Sequence, residues 1–418
     1  MEIHLPYDRT YLTARLPDSL AAKVIAPQPV EAAADPQRLV RAALSAPLGG
    51  ARLEAFGGAA SVAIAINDKT RPVPHAHLLP PLLETLEATG FTPAAITLVV
   101  ATGMHPPMAT GEFVTILPAA ILERYRVVSH DAEDAAGLVY RGETGRGTPV
   151  WVNRRFAEAQ LRIVIGNIEP HQFVGFSGGV KSAAIGLGGV ATIQRNHSLM
   201  LHPAARLGDY ETNPARQDVE EIGERIGIHF ALNAVLNHAK AIVHVLAGEP
   251  RALMVAGLPL ARQVCQVQVA EEYDLLVASP GGYPKDINLY QAQKGLAHAA
   301  LVTRPGGTII LVAACPEGTG SRHYETWMQG KQSMEEVIEC FGREGFRVGP
   351  HKAYQIARDA ARVRLITCTE MDKSQARALL LNPAASLQEA VDVAVADLPS
   401  EARVGVMPNA ASTIPYRA

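Results

Sequence analysis

The chain has 418 residues, of which 48% are apolar and 19% are charged, and its formal net charge is −3. This length exceeds what one hydrophobic core usually supports, so two domains are expected. The slightly acidic charge, with no basic run, argues against a protein that binds nucleic acid or a membrane surface.

Three further features bear on the compartment. The first residues, MEIHLPYDRTYL, mix acidic and basic side chains and lack the apolar stretch of a signal peptide. No run of about 18 apolar residues occurs, so no membrane-spanning segment is predicted. The cysteines lack CxxC spacing and are expected to be buried, reduced thiols of a cytoplasmic protein. They are Cys265, Cys315, Cys340 and Cys368.

In chain order, short apolar runs alternate with helical patterns. The first strand candidates are residues 61–68, 96–103, 126–131, 161–167, 229–237 and 241–248. Several are apolar almost throughout, as expected for strands buried on both faces. Helical patterns over 80–90 and 213–227 each stop at a glycine. This alternation predicts an α/β fold with largely parallel sheets.

A predicted helix over 250–270 leads into a second set of strands. Those candidates are residues 273–282, 307–318, 362–370 and 403–410. We therefore predict two α/β domains, with an active-site cleft between them. Residues 1–270 form the predicted N-terminal catalytic and cofactor-binding domain, and residues 271–407 form a C-terminal domain that contributes substrate-binding residues. The tail, about 408–418, is expected to pack back on the N-terminal domain.

Polar residues follow several predicted strands, at the sheet edge where sites of α/β domains lie. In Asp68-Lys69-Thr70-Arg71-Pro72, Asp68 supplies a carboxylate and Arg71 a planar donor suited to phosphate or carboxylate. The alternative for this segment is an aspartate-capped turn with a surface arginine.

Two histidines also follow predicted strands. His105 and His171 each lie beside proline, and imidazole is the side chain that titrates nearest neutrality. A single loop histidine is more often structural, but two at equivalent strand ends favour proton transfer. Five further histidines have no comparable setting and are expected to be solvated: His75, His77, His130, His202 and His323.

A glycine-rich turn precedes Lys181. The backbone N–H groups of Ser177, Gly178 and Gly179 could cradle an anion. The turn does not match the nucleotide triphosphate pattern GxxxxGK[ST], so that ligand class is disfavoured. Lys181 could pair with an anion, or act as a nucleophile if desolvation lowers its pKa.

Two shorter patterns add candidates. His197 follows Asn196, whose amide could orient the imidazole. In YQAQK, Gln291 and Lys294 are spaced i, i+3 on one predicted helix face that begins near Tyr290. An amide and an ammonium together can hold a carboxylate; the alternative is an ordinary polar helix face.

Together these motifs resemble the lactate racemase family, whose members use a nickel-pincer nucleotide. The resemblance runs from LPYDRTYL to VGVMPNAASTIP and rests on the order DKTRP, ATGMHPP, PHQFVGFSGGVK, NH and YQAQK. It implies an isomerase, a racemase or epimerase that inverts C2 of a 2-hydroxy acid by reversible hydride transfer to this pyridinium mononucleotide. No side chain accepts hydride, so such a reaction needs a cofactor. Cofactor-synthesis proteins are the implied partners.

The resemblance also implies roles for individual residues. His105 and His171 match the acid–base pair, Lys181 the thioamide attachment point and His197 the nickel ligand. Asp68 and Arg71 match residues near the cofactor phosphate and the substrate. Gln291 and Lys294 match the pair that binds the substrate carboxylate, and Tyr290 is a further expected substrate-binding residue.

The chain departs from the family pattern at two places. Met104 precedes His105 and Pro106-Pro107 follow it, where an arginine is expected after the histidine. SAAIGLGG follows Lys181 in place of a Pro-Gly turn. The substrate is therefore not expected to be limited to lactate.

Two other functions stay open. One is a redox enzyme that releases the keto acid, and the other is a non-catalytic carrier of the cofactor. Retention of both His105 and His171 argues against a carrier, which needs only Lys181 and His197. An NAD-linked dehydrogenase is disfavoured because no GxGxxG follows a strand with an acidic residue about 20 positions on. The oligomeric state is not predicted.

Overall fold

A computed structural model describes residues 1–417. The strands, numbered in chain order, are β1 (Glu2–Tyr7), β2 (Thr10–Arg15), β3 (Ala22–Val24), β4 (Val62–Asn67), β5 (Ile96–Ala101), β6 (Arg126–Ser129), β7 (Leu138–Glu143), β8 (Pro149–Asn153), β9 (Leu161–Asn167), β10 (Pro170–His171), β11 (Gly175–Phe176), β12 (Phe230–Leu236), β13 (Ile242–Gly248), β14 (Gln266–Val269), β15 (Tyr273–Ala278), β16 (Thr303–Val312), β17 (Arg364–Cys368), β18 (Val404–Met407) and β19 (Ile414–Arg417).

The α-helices are α1 (Pro36–Ser45), α2 (His75–Ala88), α3 (Ala119–Arg124), α4 (Arg154–Glu158), α5 (Lys181–Ala184), α6 (Val190–Ser198), α7 (Pro214–Ile226), α8 (Pro250–Cys265), α9 (Leu289–Ala299), α10 (Arg322–Met328), α11 (Met334–Glu344), α12 (Pro350–Ala360), α13 (Lys373–Ala378) and α14 (Leu387–Val395). Within residues 1–417, none of these helices combines the length and the apolar character that crossing a membrane requires.

The chain divides into two compact units. The central unit is Pro29–Val264, and the terminal unit combines Met1–Gln28 with the chain from Cys265 onward. The central unit contains a six-stranded sheet in the order β13-β12-β9-β4-β5-β6. Its strands are parallel except β13, which forms an antiparallel pair with β12. A short connection suffices for an antiparallel pair, whereas parallel strands need a crossover.

Strands β4 and β9 are buried along almost their whole length in the central unit. Helices α1 and α2 contribute apolar side chains such as Val40 and Leu82 to the core with Ile64 and Leu98 of the sheet. Short helix α5 contacts β4 and β9. The near-continuous apolar runs in the sequence therefore reflect a sheet covered on both faces.

The terminal unit is built on a parallel five-stranded sheet in the order β17-β16-β15-β18-β3. Helices α9 and α12 supply core residues on one face, including Leu296 and Ile356. The β1–β2 hairpin and α14 supply those of the other face, including Leu5 and Val391. The predicted α/β class with largely parallel sheets is confirmed.

The two units differ from the predicted domains in where the chain ends lie. The first 28 residues belong to the terminal unit because β3 pairs with β18 and the β1–β2 hairpin packs under that sheet. Strand β19 pairs with β14, so the tail stays in the terminal unit. Both features depend on pairings between distant segments, which local sequence patterns do not encode.

Candidate active site

The parallel strands of the central sheet bring Asp68 and His105 together. Asp68 follows β4 and His105 comes shortly after β5, so both lie at the carboxyl edge of neighbouring strands. The Nδ1 of His105 is 2.7 Å from Asp68 Oδ2. An ionised carboxylate can only accept, so Nδ1 carries the hydrogen and Nε2 is left to exchange a proton.

The surroundings of Asp68 keep its carboxyl group ionised. Its side chain is 5% exposed, and its other oxygen, Oδ1, accepts from Thr70 Oγ1 at 2.7 Å and Thr70 N at 3.2 Å. Burial acts to raise the pKa of Asp68, but the hydrogen bond and charge of His105, with Thr70 and Arg71, outweigh it and lower the pKa. Asp68 is therefore an anion that orients His105.

Lys181 begins α5, which is seated over the ends of β4 and β9. The next residue, Ser182, fixes this position because its Oγ donates to Ile165 O at 2.9 Å. Burial of the ammonium lowers the pKa of Lys181 to about 7, aided by the charges of Arg71 and Arg216 and opposed by Glu169. A large share of Lys181 is therefore an uncharged amine near neutral pH, the form that can act as a nucleophile.

His171 and His197 share one aromatic neighbour. His171 ends β10, and its ring centroid lies 4.9 Å from that of Phe173 in an edge-to-face arrangement. The ring of His197, on α6, lies 4.8 Å from the same Phe173 ring, again edge to face. Phe173 is buried, and it therefore groups two imidazoles that are far apart in the chain.

The turn from Ser177 to Gly179 differs from the predicted anion cradle. Ser177 N donates to Glu169 O at 2.7 Å, and Gly179 N donates to Asn233 Oδ1 at 2.7 Å. A β-carbon on Gly178, which has φ +90°, would come within 3.0 Å of Asn233 Oδ1. Two of the three N–H groups thus have partners within the protein, and the glycines serve close packing of the turn.

Three other expectations are corrected. Asn196 does not orient His197, because its Nδ2 donates to Ala215 O at 3.0 Å and Asp218 Oδ2 at 2.9 Å. His75 and His130 were expected in solvent but are buried, and burial lowers the pKa of His75 to about 4. His130 Nε2 donates to Gly188 O at 2.9 Å, which is a structural role.

The predicted carboxylate-binding residues lie on α9 of the terminal unit. Asn288 caps this helix by accepting from Gln291 N at 3.1 Å. Lys294 Nζ donates to Gln291 Oε1 at 2.7 Å, which aligns the amide and the ammonium as a pair of donors. The hydroxyl of Tyr290 is 3.3 Å from His351 Nε2 on α12. The i, i+3 prediction for this pair of side chains is therefore consistent with their geometry.

Sequence reasoning missed Phe173 and Arg216. Phe173 lies between two predicted functional residues, but one aromatic in a loop carries no signal of its own. Arg216 is fully buried although it belongs to an ordinary amphipathic helix pattern.

Among residues 1–417, no cluster of three or more His, Cys, Asp or Glu side chains could hold a metal ion.

The chain is similar to known proteins over most of its length. A profile of the lactate racemase N-terminal domain matches residues 7–208, and one of the lactate racemase C-terminal domain matches residues 268–414. The lactate racemase of Thermoanaerobacterium thermosaccharolyticum is 28% identical over 99% of this chain and 98% of that protein. The lactate racemase of Lactiplantibacillus plantarum is 34% identical over 77% of each protein.

Solved structures extend the comparison. The lactate racemase apoprotein from T. thermosaccharolyticum superposes with a TM-score of 0.93 at 28% identity, covering 100% of both chains. A crystal structure of a Thermotoga maritima protein gives a TM-score of 0.70 at 18% identity, covering 93% of this chain and 100% of that one. The second likeness concerns the fold alone.

Proposed function

Because this chain belongs to the lactate racemase family, we propose that it inverts C2 of a 2-hydroxy acid with a nickel-pincer nucleotide attached to Lys181. Its enzyme class is that of the racemases, a class of isomerases. The observation that carries the cofactor proposal is Lys181 itself, whose pKa is lowered to about 7 by burial and by two nearby guanidinium groups.

The side chains of the central unit suit this cofactor. Lys181 offers an uncharged amine for a covalent thioamide link. His197 offers an imidazole, which is a suitable ligand for nickel. Arg71 supplies a guanidinium for the phosphate. When bound, the nucleotide supplies the acceptor for the C2 hydride that no side chain can provide.

The two histidines then have distinct tasks. His105 accepts the hydroxyl proton of one enantiomer through Nε2. The Asp68 carboxylate, which accepts a hydrogen bond from His105 Nδ1, stabilises the resulting imidazolium. His171 is proposed to do the same for the opposite enantiomer. A planar keto acid that turns between the two bases can receive its hydrogen on either face, which is why a racemase needs both.

The substrate class follows from its carboxylate and from the sequence around His105. We propose that Gln291 and Lys294, with Tyr290 beside them, bind the carboxylate. The Met104-His105-Pro106-Pro107 segment departs from the family pattern, so the proposal covers larger aliphatic, aromatic, dicarboxylic and sugar-derived 2-hydroxy acids as well as lactate. Cofactor-synthesis proteins are the proposed partners, and cytoplasmic localisation stays a prediction.

The test is a panel of enantiopure 2-hydroxy acids incubated with the cofactor-loaded chain and separated by chiral chromatography. We expect at least one acid to interconvert at C2 without net keto acid. Keto acid that accumulates with an electron acceptor would favour the redox alternative. Retained nucleotide with no turnover of any acid would favour the carrier, although the Asp68–His105 pair has no evident purpose in a carrier.

A second experiment tests the attachment site by intact mass. Lys181→Ala should abolish the cofactor adduct, because the thioamide link needs the side-chain amine. Lys69→Ala is the matched control, since Lys69 also lies in a predicted site motif but is 53% exposed and pairs with Glu112. An adduct that persists in Lys181→Ala would contradict the proposal.

A further inference from the structure

Helix α7 contacts the turn that precedes Lys181 through one fully buried arginine. Arg216 Nη1 donates to Phe176 O at 2.9 Å, and its Nη2 donates to Gly178 O at 3.1 Å. Lys181 N donates to the same Gly178 carbonyl at 3.3 Å. One carbonyl oxygen therefore joins the guanidinium of α7 to the first residue of α5.

The buried guanidinium is compensated on its other side. Arg216 Nε donates to Glu220 Oε1 at 2.9 Å, and Tyr210 donates its hydroxyl hydrogen to the same oxygen at 2.8 Å. The Tyr210 ring lies 4.9 Å from the guanidinium carbon. A buried charge is tolerated only when it is paired and hydrogen-bonded in this way, and a planar fork suits two carbonyls and a carboxylate at once.

The backbone of α7 also fits this turn closely. A β-carbon at Gly223 would lie 2.5 Å from Val180 Cβ, so only glycine allows α7 to approach the residue before Lys181. Asn213, which caps α7, donates to Phe173 O at 2.9 Å. The helix thus holds the loop at Phe173, at the carbonyls of the turn and at Val180.

We propose that α7 is the platform that positions the attachment lysine, with Arg216 as the positioning residue that holds the turn and presents the Lys181 amine for covalent attachment. Arg216 acts through the carbonyls of the turn and is not a catalytic residue. The proposal rests on the proposed function only in taking Lys181 as the attachment point.

Electrostatics supports the same role. Burial lowers the pKa of Lys181 first, and the charges of Arg71 and Arg216 lower it further while Glu169 opposes them. Arg216 would therefore both aim the amine and favour its uncharged form. Removing the guanidinium should shift the pH at which Lys181 becomes reactive upward.

The helix provides its own control. Glu221 and Arg225 form a second i, i+4 pair on α7, at 3.2 Å, with side chains 26% and 38% exposed. The buried pair Arg216–Glu220 has exposures of 0% and 7%. The double variants Arg216→Gln with Glu220→Gln and Glu221→Gln with Arg225→Gln remove the same charges from the two pairs.

The experiment measures acylation of Lys181 by acetic anhydride in the cofactor-free full chain, as a function of pH, by peptide mass spectrometry. We expect the Arg216/Glu220 variant to react about fivefold more slowly at pH 7, with its pH midpoint raised, because a rise of about one unit from a pKa of about 7 reduces the free amine at pH 7 from about one half to about one eleventh. The Glu221/Arg225 variant should keep the wild-type profile. Arg216→Lys should restore the midpoint partly, since it retains charge without the fork.

A second readout is the intact-mass adduct of protein co-produced with the cofactor, which should fall in the Arg216/Glu220 variant. A folded variant with an unchanged acylation profile and a full adduct would overturn the proposal. If the double variant does not fold, Arg216→Lys decides, and a wild-type rate and adduct in it would overturn the proposal equally. A shifted profile in a chain whose wild type forms no adduct would refute the proposed function but support the positioning role.

Discussion

The two histidines proposed as the acid–base pair are held in different ways. His105 is oriented by a buried carboxylate at the end of the neighbouring strand, at 2.7 Å. His171 packs edge to face against Phe173, which also contacts His197. The contact of His105 with Asp68 is electrostatic, whereas that of His171 with Phe173 is packing between rings. Substitutions that change charge and those that change shape should therefore affect the two histidines differently.

The largest effect is expected from removing either imidazole. His105→Ala and His171→Ala should each reduce turnover of the loaded enzyme by about 10³-fold, the range of a lost general acid–base group. The nickel content and the Lys181 adduct should stay unchanged, as measured by elemental analysis and intact mass. His77→Ala, on the exposed face of α2, is the control. Wild-type rates in both variants would remove the acid–base assignment.

The aromatic arrangement should respond to loss of ring volume. Phe173→Ala should lower the free energy of unfolding by about 3 kcal/mol, because it empties a buried site between two imidazoles. Phe173→Leu, which keeps part of the volume, should cost less, and both should reduce nickel retention. Denaturant unfolding and metal analysis measure these effects. An alanine variant as stable and as nickel-rich as wild type would show that ring packing does not hold His197.

The charged arrangement should respond to loss of a single charge. Asp68→Asn preserves shape but offers a donor where His105 needs an acceptor, so turnover should fall about 100-fold. Asp131→Asn, an exposed aspartate after the neighbouring strand β6, should have no effect. If Asp68→Asn kept its full rate, the orienting role of the carboxylate would be wrong.

The smallest expected effect concerns how the free energy of unfolding depends on pH through the ionisation of Asp68. Its pKa in the folded chain is lowered from the ordinary 3.8, with burial opposing and His105, Thr70 and Arg71 favouring the charged form. The folded state therefore binds fewer protons than the unfolded state, and the stabilisation present above pH 3.8 is lost as pH falls through the folded pKa. Asp68→Asn should flatten the acid limb of the unfolding free energy, measured by urea titration at several pH values. An unchanged acid limb would contradict this.

Most strands of both sheets were predictable because each is a continuous apolar run with a turn signal behind it, as in Val62–Asn67 and Leu161–Asn167. The hairpin β1–β2 was missed because its strands are partly exposed and not continuously apolar, and strand β3 was missed because it has only three residues. Strand β3 pairs with β18 at the other end of the chain, and the hairpin packs its apolar residues into the core under the same sheet. Such pairing depends on long-range contacts that no local window contains.

The sequence by itself determined which reactive side chains are present, namely the imidazoles of His105, His171 and His197 and the amine of Lys181. It also determined the order of motifs, which indicates the family. Only the tertiary structure decided how these groups are held. Asp68 meets His105 because parallel strands β4 and β5 end at one edge, and Arg216 reaches the turn before Lys181 because α7 packs against α5. Residue types are local properties of a chain, whereas burial, partner choice and the pKa shifts that follow arise only when distant segments pack together.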